Sequence, residues 1–391
     1  MYRKLTADRI FDGFEWREDG SVLIVDNEGT IADITGTLAA GDDVEHLDGF
    51  LIPGMINAHC HLELSHLKGA IPEKTGLINF ILSVVRSRNI ETAQVLQHMQ
   101  EGEKEMYDHG IVAVIDICNT AESAALKNKS SLYWHSLVEV INISDKNLER
   151  QWLHYNEILK GFRRYERTEH CVNLAPHAPY SVSTQTHRAI NEATKNLLIS
   201  IHNQETGAEN DLFKNGQGSF LDFYQELGVS IPSFVSSSKS SLQTYLPHYT
   251  KGQTIILVHN SFISEEDILF AKHHAEQYGL TVFYCLCPNA NLYIEDKLPP
   301  VELLIKHNCT ILLGTDSYAS NRQLSVAREI QILAGNFPDL SLNELLKWAT
   351  SNGAKAIGNN EIGSFKKGKK PGVVLLATSD GLITGACKRI M

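Results

Sequence analysis

Phe50-Leu51-Ile52-Pro53-Gly54-Met55-Ile56-Asn57-Ala58-His59-Cys60-His61 is an apolar run closed by two histidines one residue apart. Side chains on a strand alternate faces with a period of two. A strand ending His-x-His therefore points two imidazoles the same way from its carboxyl end. Such a rigid element offers a metal two nitrogen ligands. The remaining ligands must come from elsewhere in the chain.

Outward from this run the pattern repeats. With Leu51–Ala58 there are eight short apolar runs, the others being Ile111–Ile117, Tyr133–Ile141, Val172–Ala175, Leu198–Ile201, Thr254–Val258, Thr281–Leu286 and Thr310–Leu313. Longer amphipathic stretches, such as Glu91–His109 and Leu342–Ala356, separate most of them. Eight strands alternating with helices predict an α/β fold, a (β/α)8 barrel with its reactive groups at the strands' carboxyl ends. The first run ends in His59 and His61, the fourth in His177, the fifth in His202, the sixth in His259 and the eighth in Asp316. Any one of these has a bland reading. An isolated His-x-His is common on surfaces, and Asp316 could simply cap the next helix. Their ordered recurrence at strand ends favours a site.

The two ends of the chain differ from the middle. Ser21–Val25 and Ile31–Ile34 flank Asp26-Asn27-Glu28-Gly29, a natural hairpin turn. Val373–Ala377 follows Gly368-Lys369-Lys370-Pro371-Gly372 and reads as another short strand. Residues 1–48 and 357–391 are thus expected to form one small β domain, and residues 49–356 the barrel.

Bulk composition narrows the function. The chain has 391 residues, 43% hydrophobic and 21% charged, with 35 basic against 46 acidic residues and a formal charge of −11. That balance argues against nucleic-acid binding, which needs a basic face. No apolar segment approaches the roughly 20 residues that cross a bilayer. The seven scattered cysteines form no Cys-x-x-Cys pair and read as reduced thiols of a cytoplasmic protein. Cys285 and Cys287 share a strand face, with core packing favoured over metal binding.

Imidazole and carboxylate ligands suit zinc or another divalent first-row ion, with Fe2+, Mn2+ and Ni2+ as alternatives. His59, His61, His202 and Asp316 make a four-ligand set that leaves room for water. A bound zinc ion lowers the pKa of water to about 7. Glu205, three residues after His202, can protonate a ring nitrogen. His259 can hydrogen-bond the attacking water, and Asp316 can carry a proton to the leaving group. This is general acid–base catalysis beside a metal.

These segments resemble the deaminase/chlorohydrolase branch of the amidohydrolase superfamily. The matching text is Pro53–Glu63, Pro176-His177-Ala178-Pro179-Tyr180-Ser181, His202-Asn203-Gln204-Glu205, Val258-His259-Asn260, Cys287–Leu292 and Leu313–Asn321. The resemblance implies a distorted (β/α)8 barrel with a small composite β-sandwich from both termini. It implies one divalent metal on His59, His61, His202 and Asp316, with Glu205 as proton shuttle and His259 near the water. Binuclear relatives carry a carboxylated lysine after the fourth strand. Here Leu174-Ala175-Pro176-His177 has none, which favours one metal. His177, Glu63, Ser320 and Asn321 are the expected substrate contacts, Glu63 alternatively as a partner of a ligating histidine. Two departures, Ser317 after Asp316 and Gly372 after Pro371, touch no proposed ligand.

The resemblance also implies a small-molecule substrate, with no nucleic-acid or membrane partner. Relatives are commonly homodimers or larger homo-oligomers. His61–Ser65 and Leu286–Asn289 look most like aminodeoxyfutalosine deaminases. S-adenosylhomocysteine, methylthioadenosine, adenosine or guanine deaminases and ring-opening amidohydrolases are the alternatives. A non-catalytic binding protein is disfavoured by the intact set. The loop after the first strand, with His66, Lys68, Glu73 and Lys74, and Arg86 and Arg88 beyond it, is the place to look for substrate choice. A substrate carboxylate would want one of these cations, although a solvated charge is the commoner role.

Overall fold

A computed structural model describes residues 2–87, 90–165, 170–229, 236–379 and 381–391; Arg88 lies outside them. Four strands open the chain: β1 (Tyr2–Ile10), β2 (Ser21–Asp26), β3 (Ile31–Gly36) and β4 (Val44–Pro53). The next eight are β5 (Met55–Cys60), β6 (Ile111–Cys118), β7 (Tyr133–Val140), β8 (His170–Pro176), β9 (Leu198–Asn203), β10 (Thr254–His259), β11 (Thr281–Leu286) and β12 (Ile311–Leu313). Two more, β13 (Val373–Ser379) and β14 (Leu382–Arg389), close it.

The middle eight are all parallel, in two ladders ordered β5-β6-β7-β8 and β9-β10-β11-β12. Parallel strands buried on both faces read as continuous apolar runs. That is how the sequence showed them, and β5 and β9 are buried at every position. Two seams join the ladders. At one, the His202 N–H donates to the His177 carbonyl across 2.9 Å. At the other, Cys60 bridges Asp316, and the N–H groups of Thr315 and Asp316 both donate to the His59 carbonyl at 3.0 Å. The second seam needs Gly314. A Cβ there would lie 2.8 Å from the His59 Cβ and 2.9 Å from the His59 nitrogen.

The two ends of the chain meet in a six-stranded sheet ordered β14-β13-β4-β1-β2-β3. Leu5, Leu23, Val25, Leu51 and Val373 are its buried centre. β2 and β3 form the expected antiparallel hairpin. The expected strand Leu51–Ala58 is two strands. Leu51–Pro53 end β4, which pairs with β1 and β13, while β5 starts the barrel at Met55. Proline cannot donate to a ladder. Gly54 passes where a Cβ would meet Val112 Cγ1 at 2.2 Å and the Pro371 carbonyl at 2.6 Å. The boundary expected at residue 48 therefore falls inside β4. No helix among the described residues is long and apolar enough to cross a membrane.

A buried ion pair anchors the chain just beyond the two histidines. Lys127 Nζ lies 2.5 Å from Asp116 Oδ2, the two side chains 3% and 0% exposed. Lys127 also donates to Ser136 Oγ at 3.0 Å, and Asp116 Oδ1 accepts the Leu62 N–H at 2.8 Å. Burial works against the Lys127 ammonium, but its interactions with Asp116 and Cys118 together outweigh it and hold the pKa above the usual lysine value. Removing one partner of a buried pair strands the other charge, which costs about 3–5 kcal/mol. Lys127→Met should lose that much stability in urea unfolding. A loss under about 1 kcal/mol would show that the pair does not hold this corner.

Candidate metal centre and active-site cavity

His59 is the fifth residue of β5 and His61 directly follows that strand. Their Nε2 atoms are 3.2 Å apart, and His61 Nε2 is also 3.2 Å from His202 Nε2 at the carboxyl end of β9. Asp316 Oδ1, just past β12, is 3.5 Å from His61 Nε2 and 3.7 Å from His59 Nε2. Nitrogens bound tetrahedrally to one zinc ion at about 2.0–2.1 Å lie about 3.4 Å apart. The three imidazoles therefore converge at the spacing one ion requires.

Their protonation suits the same task. The His202 Nδ1 atom is 2.8 Å from the His177 carbonyl. A carbonyl only accepts, so Nδ1 carries the hydrogen and Nε2 presents its lone pair. Burial, reinforced by the facing imidazoles, holds His59, His61 and His202 below the ordinary histidine pKa. Neutral rings are the metal-binding form. Ser320 donates its hydroxyl to Asp316 Oδ2, leaving Oδ1 toward the histidines.

His259 ends β10, with Nε2 3.6 Å from Glu205 Oε1. The Asn291 amide nitrogen lies 3.3 Å from His259 Nδ1 and donates to Ser261 Oγ at 2.8 Å. With Nδ1 accepting, the His259 hydrogen sits on Nε2, toward Glu205. Burial, then the nearby Asp316 charge, pushes Glu205 well above the usual carboxylate range. The backbone bends sharply here: φ is 46° at Gln204, 72° at His259, 60° at Asn260 and 55° at Asp316. Left-handed non-glycine residues cost about 1–3 kcal/mol each and cluster at functional sites.

Glu139, His177, Glu205, His259 and Asp316 open on a cavity of about 190 Å³. Glu139, missed in the sequence, sits near the end of β7, 3.9 Å from both His177 Nε2 and His202 Nδ1. It accepts from the Asn119 amide at 2.7 Å. The apolar run Tyr133–Ile141 hides it, because that run extends one residue past the strand's end at Val140. Parity with His135 and Leu137 was the signal available.

Of the expected substrate contacts, His177 lies on the cavity wall. The other three lie off it. Glu63 is turned into the loop after β6, where its carboxylate accepts from the Asn119 N–H at 2.9 Å and the Thr120 N–H at 3.1 Å. Burial, partly offset by Lys127, moves its pKa up to about 7. Ser320 braces Asp316, and Asn321 donates to the Thr315 carbonyl at 2.9 Å and to Glu329 at 2.8 Å. Four of the charges nearby form surface pairs: Lys68 with Glu105, Lys74 with Asp296, Glu73 with Arg322 and Arg86 with Glu226. Cys285 and Cys287 are buried in the main core.

An amidohydrolase family model matches residues 50–386. The chain belongs to that family and is a hydrolase of carbon–nitrogen bonds. A 5′-deoxyadenosine deaminase of Methanosphaera stadtmanae is 23% identical over 379 residues, covering 91% of this chain and 80% of that protein. A 5-methylthioadenosine/S-adenosylhomocysteine deaminase of Saccharophagus degradans is 27% identical, covering 91% and 79%. The crystal structure of Helicobacter pylori aminofutalosine deaminase with methylthio-coformycin superimposes with a TM-score of 0.82 at 24% identity, covering 98% of this chain and 94% of that one.

If the converging imidazoles hold an ion, His61→Ala removes the central nitrogen of the three. Elemental analysis should find close to one divalent metal per wild-type chain and a large loss in His61→Ala. Two ions per wild-type chain, or full retention by the variant, would contradict this geometry.

Proposed function

We propose that this chain is a mononuclear metal-dependent aminohydrolase that releases ammonia from an adenosine-type nucleoside. Aminodeoxyfutalosine is the first substrate to test. The observation that carries the reading is the convergence of three imidazoles and Asp316 beside the buried Glu205. The names of the similar proteins point the same way.

His59, His61, His202 and Asp316 would hold the ion, and zinc suits this nitrogen–oxygen set. When bound, it supplies Lewis-acid activation of water. A second ion finds little support. β8 ends in Pro176-His177 without a lysine, and His202 Nδ1 is already committed to a carbonyl.

The chain's own groups divide the proton transfers. Glu205 gives its proton to the ring nitrogen beside the amino-bearing carbon as water adds to that carbon. His259 Nε2–H, oriented by Asn291, hydrogen-bonds the adding oxygen. Asp316 takes a proton from the water and passes it to the departing amine. The carbon–nitrogen bond breaks, ammonia leaves and the ring carbon keeps the oxygen as a carbonyl, its remaining proton returning to Glu205. His177 and Glu139, on the wall beside these groups, are placed to meet the nucleoside.

An ammonia-release assay over aminodeoxyfutalosine, S-adenosylhomocysteine, methylthioadenosine, adenosine, guanine and an aminotriazine tests the reading. Turnover of at least one adenosine-type nucleoside is expected, and silence on all of them would overturn it. Glu205→Gln should keep its metal while kcat falls by about 10²–10⁴. Full activity in that variant would remove Glu205 from the mechanism.

A further inference from the structure

Glu209 is a buried carboxylic acid that the proposed chemistry does not use. None of its surface is exposed (0%). It stands in the first turn of the helix Gly207–Asn215. An acid there ordinarily complements the free N–H groups of its own helix. This one turns back along the chain instead. Its Oε1 accepts the Gln204 N–H at 3.0 Å, and the Glu205 N–H faces the same carboxyl. Burial pushes its pKa up to about 7, although the Ser241 hydroxyl and these two N–H groups favour the anion. Burying a carboxyl is costly, and a hydrocarbon side chain would fill the same space without that cost.

What the carboxyl holds is a strained turn. Gln204, immediately before Glu205, has a left-handed φ of 46°. Such conformations persist only where their surroundings fix them. Glu209 takes the Gln204 N–H, the Gln204 side chain donates to Asp267 Oδ2 at 2.8 Å, and the Gln204 carbonyl accepts the Phe262 N–H at 2.9 Å. Phe262 and Asp267 lie in the segment that follows His259. The turn therefore ties the loop bearing Glu205 to the loop after His259, and the side chains of Glu205 and His259 stand 3.6 Å apart. We infer that Glu209 is a positioning residue for Glu205: by accepting the Gln204 N–H it fixes the turn that aims the Glu205 carboxyl into the cavity. That role presupposes the aminohydrolase reading, in which Glu205 delivers a proton to the substrate ring. A misaimed donor slows the proton transfer while leaving the metal and the rest of the cavity in place. The loss then falls on kcat rather than on KM.

Two variants of the holoenzyme test this. Glu209→Met fills a similar volume but offers no oxygen to the Gln204 N–H, whereas Glu209→Gln keeps a carbonyl acceptor. Both are assayed by ammonia release from the nucleoside that the wild type turns over best, with metal content and Tm measured alongside. Glu209→Met should lower kcat by about tenfold or more, with KM changed by less than about threefold and the metal retained. Glu209→Gln should recover kcat to within about threefold of the wild type. The deciding measurement repeats Glu209→Met in the Glu205→Gln background. With the proton donor already removed there is nothing left to misaim, so kcat should fall further by less than about twofold. An equal loss in both backgrounds, a kcat near wild type in Glu209→Met, or a Glu209→Gln as slow as Glu209→Met overturns the inference. A Glu209→Met chain that fails to fold assigns the carboxyl to stability and also overturns it. Ammonia from no nucleoside in the wild type is a different result, because it removes the aminohydrolase reading itself.

Discussion

Closure of the barrel between β5 and β12 is the constraint on which the site depends. These strands are adjacent only because Gly314 leaves no side chain between them, with His59 in van der Waals reach of its backbone. Asn57 locks the contact, donating to Thr315 Oγ1 at 2.8 Å and accepting the Thr315 N–H at 3.0 Å. Closing the ring here sets Asp316 beside His59 and His61, which are some 250 residues away along the chain. The other seam works similarly. One carbonyl, that of His177, accepts both the backbone N–H and the ring N–H of His202. The hydrogen bonds that join the two ladders also orient the ring. Structure and site share the same few atoms, so neither can drift alone.

That arrangement has an energetic cost. Imidazoles and carboxyls are taken out of water, and the chain turns through left-handed φ at Gln204, His259, Asn260 and Asp316. Conformations of this kind persist only where the surroundings over-determine them. Here those surroundings are fully buried strands and cross-ties such as Asn203 Nδ2 to Asn260 Oδ1 at 3.0 Å, with Tyr245 donating to Asn203 Oδ1 at 2.9 Å. Burial also lowers the pKa of the rings and raises that of Glu205, favouring the neutral form of each. The desolvation that opposes folding is therefore what sets the protonation states of the proposed chemistry.

Strand ends were legible in the sequence because position alone decides them. A residue at the carboxyl end of a barrel strand faces the same mouth whatever its neighbours do. His59, His61, His177, His202, His259 and Asp316 all arrived by that rule. Direction within a turn was not legible. Glu63 is two residues past His61, yet it lies in a 3-10 turn, Leu62–Leu67, that aims it at the next loop. Ser320 and Asn321 follow Asp316 closely, and the same tightness folds them back onto it and onto Glu329. The break at Pro53-Gly54 was written in the residues, but an unbroken apolar run hid it. The apolar wall of the cavity was invisible for a different reason. An amphipathic helix such as Leu77–Arg86 has the same pattern whether its apolar face covers a core or a cavity.

Apolar walls over a charged floor have two consequences that come together. Low polarity above Glu205 favours its neutral form, because an ionised carboxyl has no water to turn to. A ligand that fills the cavity would remove the remaining water and strengthen every electrostatic interaction within it. The helices Leu77–Arg86 and Ser219–Glu226, clasped by Arg86 and Glu226, govern how far solvent reaches the end of the barrel.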